Sequence, residues 1–322
     1  MATNKDNGKN TEKARETKNK SKLKKYKRKY RKIKSLFVTV VVIILAILGF
    51  FFGKDALTQQ KPVVEPVSGN EVQFHFIDVG QGDAALIRTT QGDILIDAST
   101  GDAEEELKAY LDSLGVTDIE YAVFTHPHED HIGGADMIVL NYNVKRVVLP
   151  NVTHTSKTYT RMMEAIEQKN CEVIEAAPDK TFKVGELKCT MLAPISTSYT
   201  ELNNYSVVMR VDYGETSVLF TGDAEVHSED EMIARYGAAA GGMLDCDLIK
   251  VGHHGSDTSS GQAFLDAVTP VYGVISCGKG NTYGHPIQEI LVRYEAMNVT
   301  LYRTDLEGSI VFTSTGGEPV KK

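Results

Sequence analysis

The chain is poor in cysteine, with four in 322 residues, and no two of them stand in a C-x-x-C pair. A disulfide scaffold, a zinc ribbon and a thioredoxin-type redox centre are therefore excluded. Cys171, Cys189, Cys246 and Cys277 are expected to be free, buried thiols. No G-x-S-x-G segment occurs, so nothing supports a serine nucleophile. Basic charge is scarce over most of the chain. Residues 1–35 hold 15 lysines and arginines and three acids, whereas the remainder holds 20 basic and 40 acidic side chains. The larger part is thus strongly acidic and lacks the lysine and arginine cluster that a long polyanion would need. A hydrophobic fraction of 42% excludes a collagen-like or wholly disordered chain.

The amino terminus is a separate electrostatic object. Residues 1–35 are too polar to bury a core and are expected to form a disordered tail. Residues 36–52, LFVTVVVIILAILGFFF, follow without a charge. As a helix rising about 1.5 Å per residue they reach roughly 25 Å, near the lower limit for a hydrocarbon core of about 30 Å. Lys34 and Lys54 can snorkel to either interface. The run is longer than a signal-peptide core and is followed by GKD, not by a small-residue cleavage site. The expectation is one transmembrane anchor over 36–53. Its basic flank places residues 1–35 in the cytoplasm against anionic membrane lipid, and the rest of the chain outside. Residues 54–70 carry two prolines and no periodicity, and read as a linker.

From residue 71 to 315 the hydrophobic pattern is continuous. VQFHFIDVG, DAALIRT and DILIDA read as strands separated by glycine turns. DAEEELKAYLDSLG reads as a helix running from a cap at Asp102 to Gly115. EYAVFTH is a strand entering a histidine-rich turn. Further strands (KRVVLP, CEVIEA, ELKCTMLAP, YSVVMRVDYG, TSVLFTGD, CDLIKVG, VYGVISCG, VTLYRT, GSIVFTS) alternate with helices (ADMIVLNY, RMMEAIEQKN, SEDEMIARYG, IQEILVRYEAM). Mixed order of this kind predicts a layered α/β (α+β) domain, with residues 316–322 as a tail.

The segment FTHPHEDHIGG supplies His126, His128, Asp130 and His131 within six residues. Imidazole and carboxylate are the ligands that divalent transition metals prefer. In an extended turn, residues two apart point the same way, so His126 and His128 can share an ion while Asp130 and His131 face another. Gly133 and Gly134 permit a tight backbone path beside them.

This segment resembles the H-x-H-x-D-H signature of the metallo-β-lactamase superfamily. DILIDA ends in Asp97, VLFTGD in Asp223, and KVGHHGS brings His253 and His254, in the order that the superfamily shows. Together with FIDVGQGDAALI, NNYSVVMRV and NTYGHP, the likeness is to the soluble domain of ComEC-type competence proteins and their stand-alone relatives, from about residue 72 to 313. The resemblance implies an αβ/βα four-layer sandwich with two divalent metal ions, Zn²⁺ or Mn²⁺, at one edge. His126, His128 and Asp223 would hold the first ion, and Asp130, His131, Asp223 and one of His253 or His254 the second. A third histidine on the first ion is missing. Only His154 lies between His131 and Asp223, too early for that place, and Asn204 or Ser206 stands in the corresponding segment.

The implied chemistry is hydrolysis by water activated between the ions. Asp130, Asp97 and His285 are the candidate catalytic residues, with Asp97 supporting the ligand histidines and His285 near the leaving group. Asp78, Gln81 and Asp83 of DVGQGD are expected along the same edge; His75 reads as structural and His227 as without a role. The favoured function is a phosphodiesterase or phosphoesterase on a small phosphoester, with nucleic acid as a further substrate class. A carboxylic ester or lactone hydrolase and a non-catalytic binding module are the alternatives. No protein partner is inferable.

Overall fold

The computed structural model describes residues 66–237, 239 and 241–322; the expected tail, the anchor over 36–53 and the linker as far as residue 65 lie outside the described residues. Among the described residues no helix is long and apolar enough to cross a membrane.

The inner strands are apolar on both faces, and the structure shows why. In β2 (Ala85–Thr89) and β3 (Gly92–Ile96), Ile87, Ile94 and Ile96 point into one cluster with Phe74 and Phe220. Their neighbours Leu86 and Leu95 point into another, with Leu107 and Ile138. A strand with helices on one side and a sheet on the other buries both sets of its alternating side chains. Two sheets meet in this way. The first has the order β15-β14-β1-β2-β3-β4-β5-β6, with β1 at Val72–Phe76, β4 at Asp118–Val123, β5 at Asn143–Leu149, β6 at Glu172–Glu175, β14 at Ile310–Ser314 and β15 at Val320–Lys321. The second has the order β13-β12-β11-β10-β9-β8-β7. These are β7 (Thr181–Val184), β8 (Leu187–Ala193), β9 (Val208–Tyr213), β10 (Thr216–Phe220), β11 (Leu248–Lys250), β12 (Tyr272–Ile275) and β13 (Thr300–Arg303).

Helices α1 (Glu104–Ser113), α2 (Glu129–Ile132), α3 (Ala135–Asn141) and α4 (Lys157–Lys169) belong with the first sheet. Helices α5 (Val226–Tyr236), α6 (Gln262–Val268) and α7 (Gln288–Ala296) cover the second, and α8 (Thr304–Glu307) is a single turn. The result is helix, sheet, sheet, helix. Between the sheets Phe76 stacks on Phe220 with ring centroids 5.7 Å apart. Each such fully buried side chain contributes about 1.5–3 kcal/mol.

Several details differ from the sequence reading. Asp102 sits in a one-turn 3-10 segment, and α1 starts at Glu104 with no side-chain cap. Helices α2, α6 and α8 and strand β7 are additional. Residues 316–322 are not simply a tail, since Val320–Lys321 pairs antiparallel with β14. All four cysteines are free; three are buried and Cys171 is half-buried.

The connectivity then decides where chemistry can sit. Strands β3, β4 and β5 run parallel, as do β10, β11 and β12. Parallel neighbours deliver their carboxyl ends, and the loops that follow, to one edge of the sandwich.

Candidate metal centre

Five strand ends meet at that edge. Asp97 follows β3, the 125–131 segment follows β4, Asp223 follows β10, His253 and His254 follow β11, and Ser276 follows β12. Asp130 and His131 ride on the short helix α2, whose first turn begins after His128. Gly133 and Gly134 are required there, but not for left-handed torsion. A Cβ on Gly133 would lie 2.2 Å from the Gly101 nitrogen, and one on Gly134 2.8 Å from the Ala98 oxygen. The glycines give the histidine segment room against the 98–101 backbone.

Asp97 is held at φ 59°, a region that Asp tolerates better than most residues. One of its oxygens accepts from the Thr125 backbone N–H at 2.7 Å; the other accepts from the Thr125 hydroxyl at 2.8 Å and from His131 Nδ1 at 2.7 Å. This orientation leaves His131 Nε2 facing Asp223 Oδ2 at 3.1 Å. His254 is fixed likewise. Its Nδ1 donates to the Ser276 carbonyl at 2.9 Å, and its Nε2 faces Asp130 Oδ2 at 3.3 Å and Asp223 Oδ2 at 3.6 Å. Ligand atoms of Asp130, His131, Asp223 and His254 all lie within 4.8 Å of one another.

His126 Nε2 lies 2.9 Å from His128 Nδ1 and 3.9 Å from Asp223 Oδ2. On the far side of its ring, Nδ1 is braced by Thr125 Oγ1 at 3.1 Å and Ser206 Oγ at 3.3 Å. Ser206 Oγ also accepts the Asp223 backbone N–H at 3.0 Å. Ser206 therefore positions both partners from behind. Asn204 turns away, donating to Glu225 at 3.1 Å and accepting from the Ser228 N–H at 3.2 Å. Asn203 is the residue of this segment that faces the site, with Nδ2 3.5 Å from His253 Nε2.

His253 and His254 both have positive φ, 49° and 54°, inside a Gly-flanked turn. Two consecutive left-handed residues are unusual and strained, and they send the two rings to different places. His254 is buried in the four-residue group. His253 stands at the rim, its Nε2 3.7 Å from Asp223 Oδ2 and its Nδ1 2.8 Å from Thr258 Oγ1.

The donor set tests whether cations fit. Buried polar atoms are almost always hydrogen-bonded. Here His131 Nε2, His254 Nε2 and Asp223 Oδ1 are buried with no hydrogen-bond partner, and all belong to the group of four. Electrostatics agree. Burial would depress His254, but Asp223 and Asp83 outweigh it and hold the imidazole up at about 10. Burial likewise opposes charge on His131, and Asp223 and Asp97 overcome it, raising it well above its ordinary value. Burial would raise Asp223, and His131 and His254 drive it far below the carboxylate range. The carboxylates thus demand positive charge in this volume. A bound cation would supply it, as would protonation of the imidazoles.

Residues 77–279 match the metallo-beta-lactamase superfamily. The chain belongs to this superfamily. It is 28% identical over 269 residues to ComE operon protein 3 of Bacillus subtilis, covering 77% of this chain and 34% of that protein. It is 31% identical over 250 residues to competence protein ComA of Neisseria gonorrhoeae, covering 77% and 33%. The chain spans about a third of the length of these relatives. The fold is similar to that of the metallo-beta-lactamase fold protein YhfI of Bacillus subtilis, with a TM-score of 0.50, 12% identity, and 76% and 100% of the two chains covered.

Within this metallo-β-lactamase domain the other sequence candidates separate. His154 is half-buried in a loop and caps the Ser156 N–H, outside the group. Asp78 does not join the site; it accepts the Gly80 N–H at 3.2 Å within its own turn. Gln81 ties that turn to the loop after β12, accepting the Gly278 N–H at 3.0 Å. His75 is buried between Tyr110 and Gln73, and burial pushes it down to about 3. His227 is an exposed residue of α5. His285 lies at the mouth, its ring 5.7 Å from that of His253, and Nδ1 is buried without a partner. Burial, then His253 and His254, keep it below its ordinary value and therefore neutral. Sequence reasoning missed Tyr283, which is 67% exposed and stacks on His285 at 5.8 Å. Its place in NTYGHP, between Gly280 and Gly284 at positive φ, was the available signal.

Proposed function

We propose that this chain is a binuclear metal-dependent hydrolase of phosphoesters, with small phosphodiesters as the favoured substrates. The observation that carries the reading is the convergence of Asp130, His131, Asp223 and His254, with ligand atoms buried and unpartnered. His126, His128 and Asp223 would hold one ion, and Asp130, His131, Asp223 and His254 the other, as Zn²⁺ or Mn²⁺. The bound pair would supply a water of low pKa and positive charge for phosphoryl oxygens.

The chain's own residues do the rest. Asp97 keeps His131 Nδ1 protonated and Nε2 free; the Ser276 carbonyl does the same for His254. Thr125 and Ser206 orient His126. Neutral His285 offers a hydrogen bond at the mouth, where a leaving oxygen would emerge. A phosphoester is favoured over a β-lactam because, among the described residues between His131 and Asp223, the one histidine, His154, lies outside the group. The acidic character of residues beyond 35 favours a small ester over a long nucleic acid. The uncharged run over 36–53 and its basic flank support a single-pass anchor, with the hydrolase domain outside the cytoplasm.

Metal-free protein reloaded with Zn²⁺ or Mn²⁺ is the test. Bis-p-nitrophenyl phosphate, phosphorylcholine esters, single-stranded DNA and nitrocefin are assayed side by side. Metal-dependent turnover of the diester is expected; turnover of nitrocefin alone overturns the proposal.

Tyr283 gives a narrower prediction. A ring exposed to this extent beside the site is placed to stack on an aromatic part of the substrate. Tyr283→Ala is expected to raise KM for an aryl phosphodiester about five- to tenfold with kcat little changed, by analogy with aromatic–base stacking. Steady-state kinetics on aryl and alkyl diesters check it, since the alkyl ester should be unaffected.

A further inference from the structure

Lys250 ends β11, three residues before His253, and has no part in the chemistry above. Among the described residues it is the one buried lysine or arginine, at 4% exposure. Lysine is almost never fully buried unless it is paired. Its Nζ lies 2.7 Å from Asp83 Oδ2 and donates to the Val251 carbonyl at 3.0 Å. Asp83 is itself buried, and its other side-chain contacts lead to the metal centre. Oδ1 stands 3.4 Å from His254 Nδ1 and Oδ2 stands 4.0 Å from His131 Nδ1. The Asp83 backbone N–H donates to the Asp130 carbonyl at 3.0 Å, and its own carbonyl accepts the Ser99 N–H at 2.8 Å. The approach is close enough that a Cβ on neighbouring Gly82 would lie 2.7 Å from the Asp130 oxygen. One residue thus reaches Asp130, His131 and His254, three of the four members of the group.

We infer that Lys250 and Asp83 form a positioning pair for the second ion. The ammonium pins one oxygen of Asp83, which aims the other at His254 Nδ1 beside the Ser276 carbonyl. His254 Nε2 is thereby kept toward Asp130 and Asp223. Asp97 braces His131, and the Lys250–Asp83 pair braces His254, so each buried imidazole of the second site has a carboxylate behind it. Outer partners of this kind are known to tune metal sites through the ligands they orient. The ammonium is needed because Asp83 would otherwise be a further buried negative charge beside Asp97 and Asp223.

The inference rests on the two-ion reading, and its test separates the two. Metal-free Lys250→Met is titrated with Zn²⁺ and the stoichiometry read by equilibrium dialysis; Co²⁺ loading gives the ligand-field spectrum of each equivalent. The first equivalent is expected to bind as in the unsubstituted protein and the second about 10- to 100-fold more weakly, with an altered Co²⁺ spectrum. Two equivalents bound with unchanged affinity and spectrum overturn the inference. If Lys250→Met does not fold, the double variant Lys250→Met, Asp83→Asn removes both charges and is read in the same way. A double variant that binds both ions normally, or that also fails to fold, overturns it, because the pair would then serve the core. An unsubstituted protein that takes up fewer than two ions sinks the two-ion reading instead.

Discussion

Replacing Asp223 by alanine is expected to abolish both stoichiometric ion uptake and turnover, lowering kcat/KM on bis-p-nitrophenyl phosphate by at least about a thousandfold. The reason is concentration of function in one oxygen. Asp223 Oδ2 lies 3.1 Å from His131, 3.6 Å from His254, 3.7 Å from His253 and 3.9 Å from His126. It is the atom that both proposed ion positions share. Asp130 also acts on His126 and His128, but its carboxylate faces His254 at 3.3 Å, and Asp97 is occupied by Thr125 and His131. Asp223→Asn keeps the shape and removes the charge. It is expected to lose turnover almost as fully, which would assign the loss to charge and not to a collapsed turn. Elemental analysis of both variants, beside circular dichroism for folding, checks the claim. Full ion content in either would show that Asp223 does not hold the pair together.

The part of this site that could be read from sequence is the part built by local geometry. His126 and His128 meet at 2.9 Å across the bend that follows β4, and Asp130 and His131 follow because a helical turn begins after His128. Asp97 and Asp223 were legible as strand-end acids through the superfamily pattern. His253 and His254 were not separable by spacing, since consecutive left-handed residues belong to neither the strand period nor the helix period. Lys250 and Asp83 could not be paired at all. They are far apart in sequence, one at the end of a strand and the other in a glycine turn, and only the meeting of the two sheets joins them. The same limit applies to the fold. Strands buried on both faces announced themselves as apolar runs. Strand β15 has two residues and β7 four at an edge, too short for alternation to show, and α6 is too short for helical spacing to stand out from the apolar run AFLDAV.

Proton release should dominate the affinity for metal. A ligand imidazole must be neutral, so every imidazolium in the metal-free protein has to lose a proton when an ion binds. His254 is held up at about 10 and His131 also well above its ordinary value, so both are cationic in neutral solution without metal. Apparent affinity for the second ion is therefore expected to rise about tenfold per pH unit for each, or about a hundredfold per unit for both, between roughly pH 6 and 8. Calorimetric titration in buffers of different ionisation enthalpy measures the protons directly, and about two for the second ion is the expected count, with few for the first because His126 and His128 are held below their ordinary value by burial. The metal-free protein has the opposite dependence. A histidine whose folded value exceeds its unfolded value contributes stability that is fully present below about 6.5. That contribution fades as pH climbs toward about 10, the value for His254. Alkaline solution should thus lower the thermal midpoint of the metal-free protein while tightening its grip on added Zn²⁺. A pH-independent affinity would mean that the imidazoles are already neutral before the ion arrives, and that the buried carboxylates are balanced in some other way.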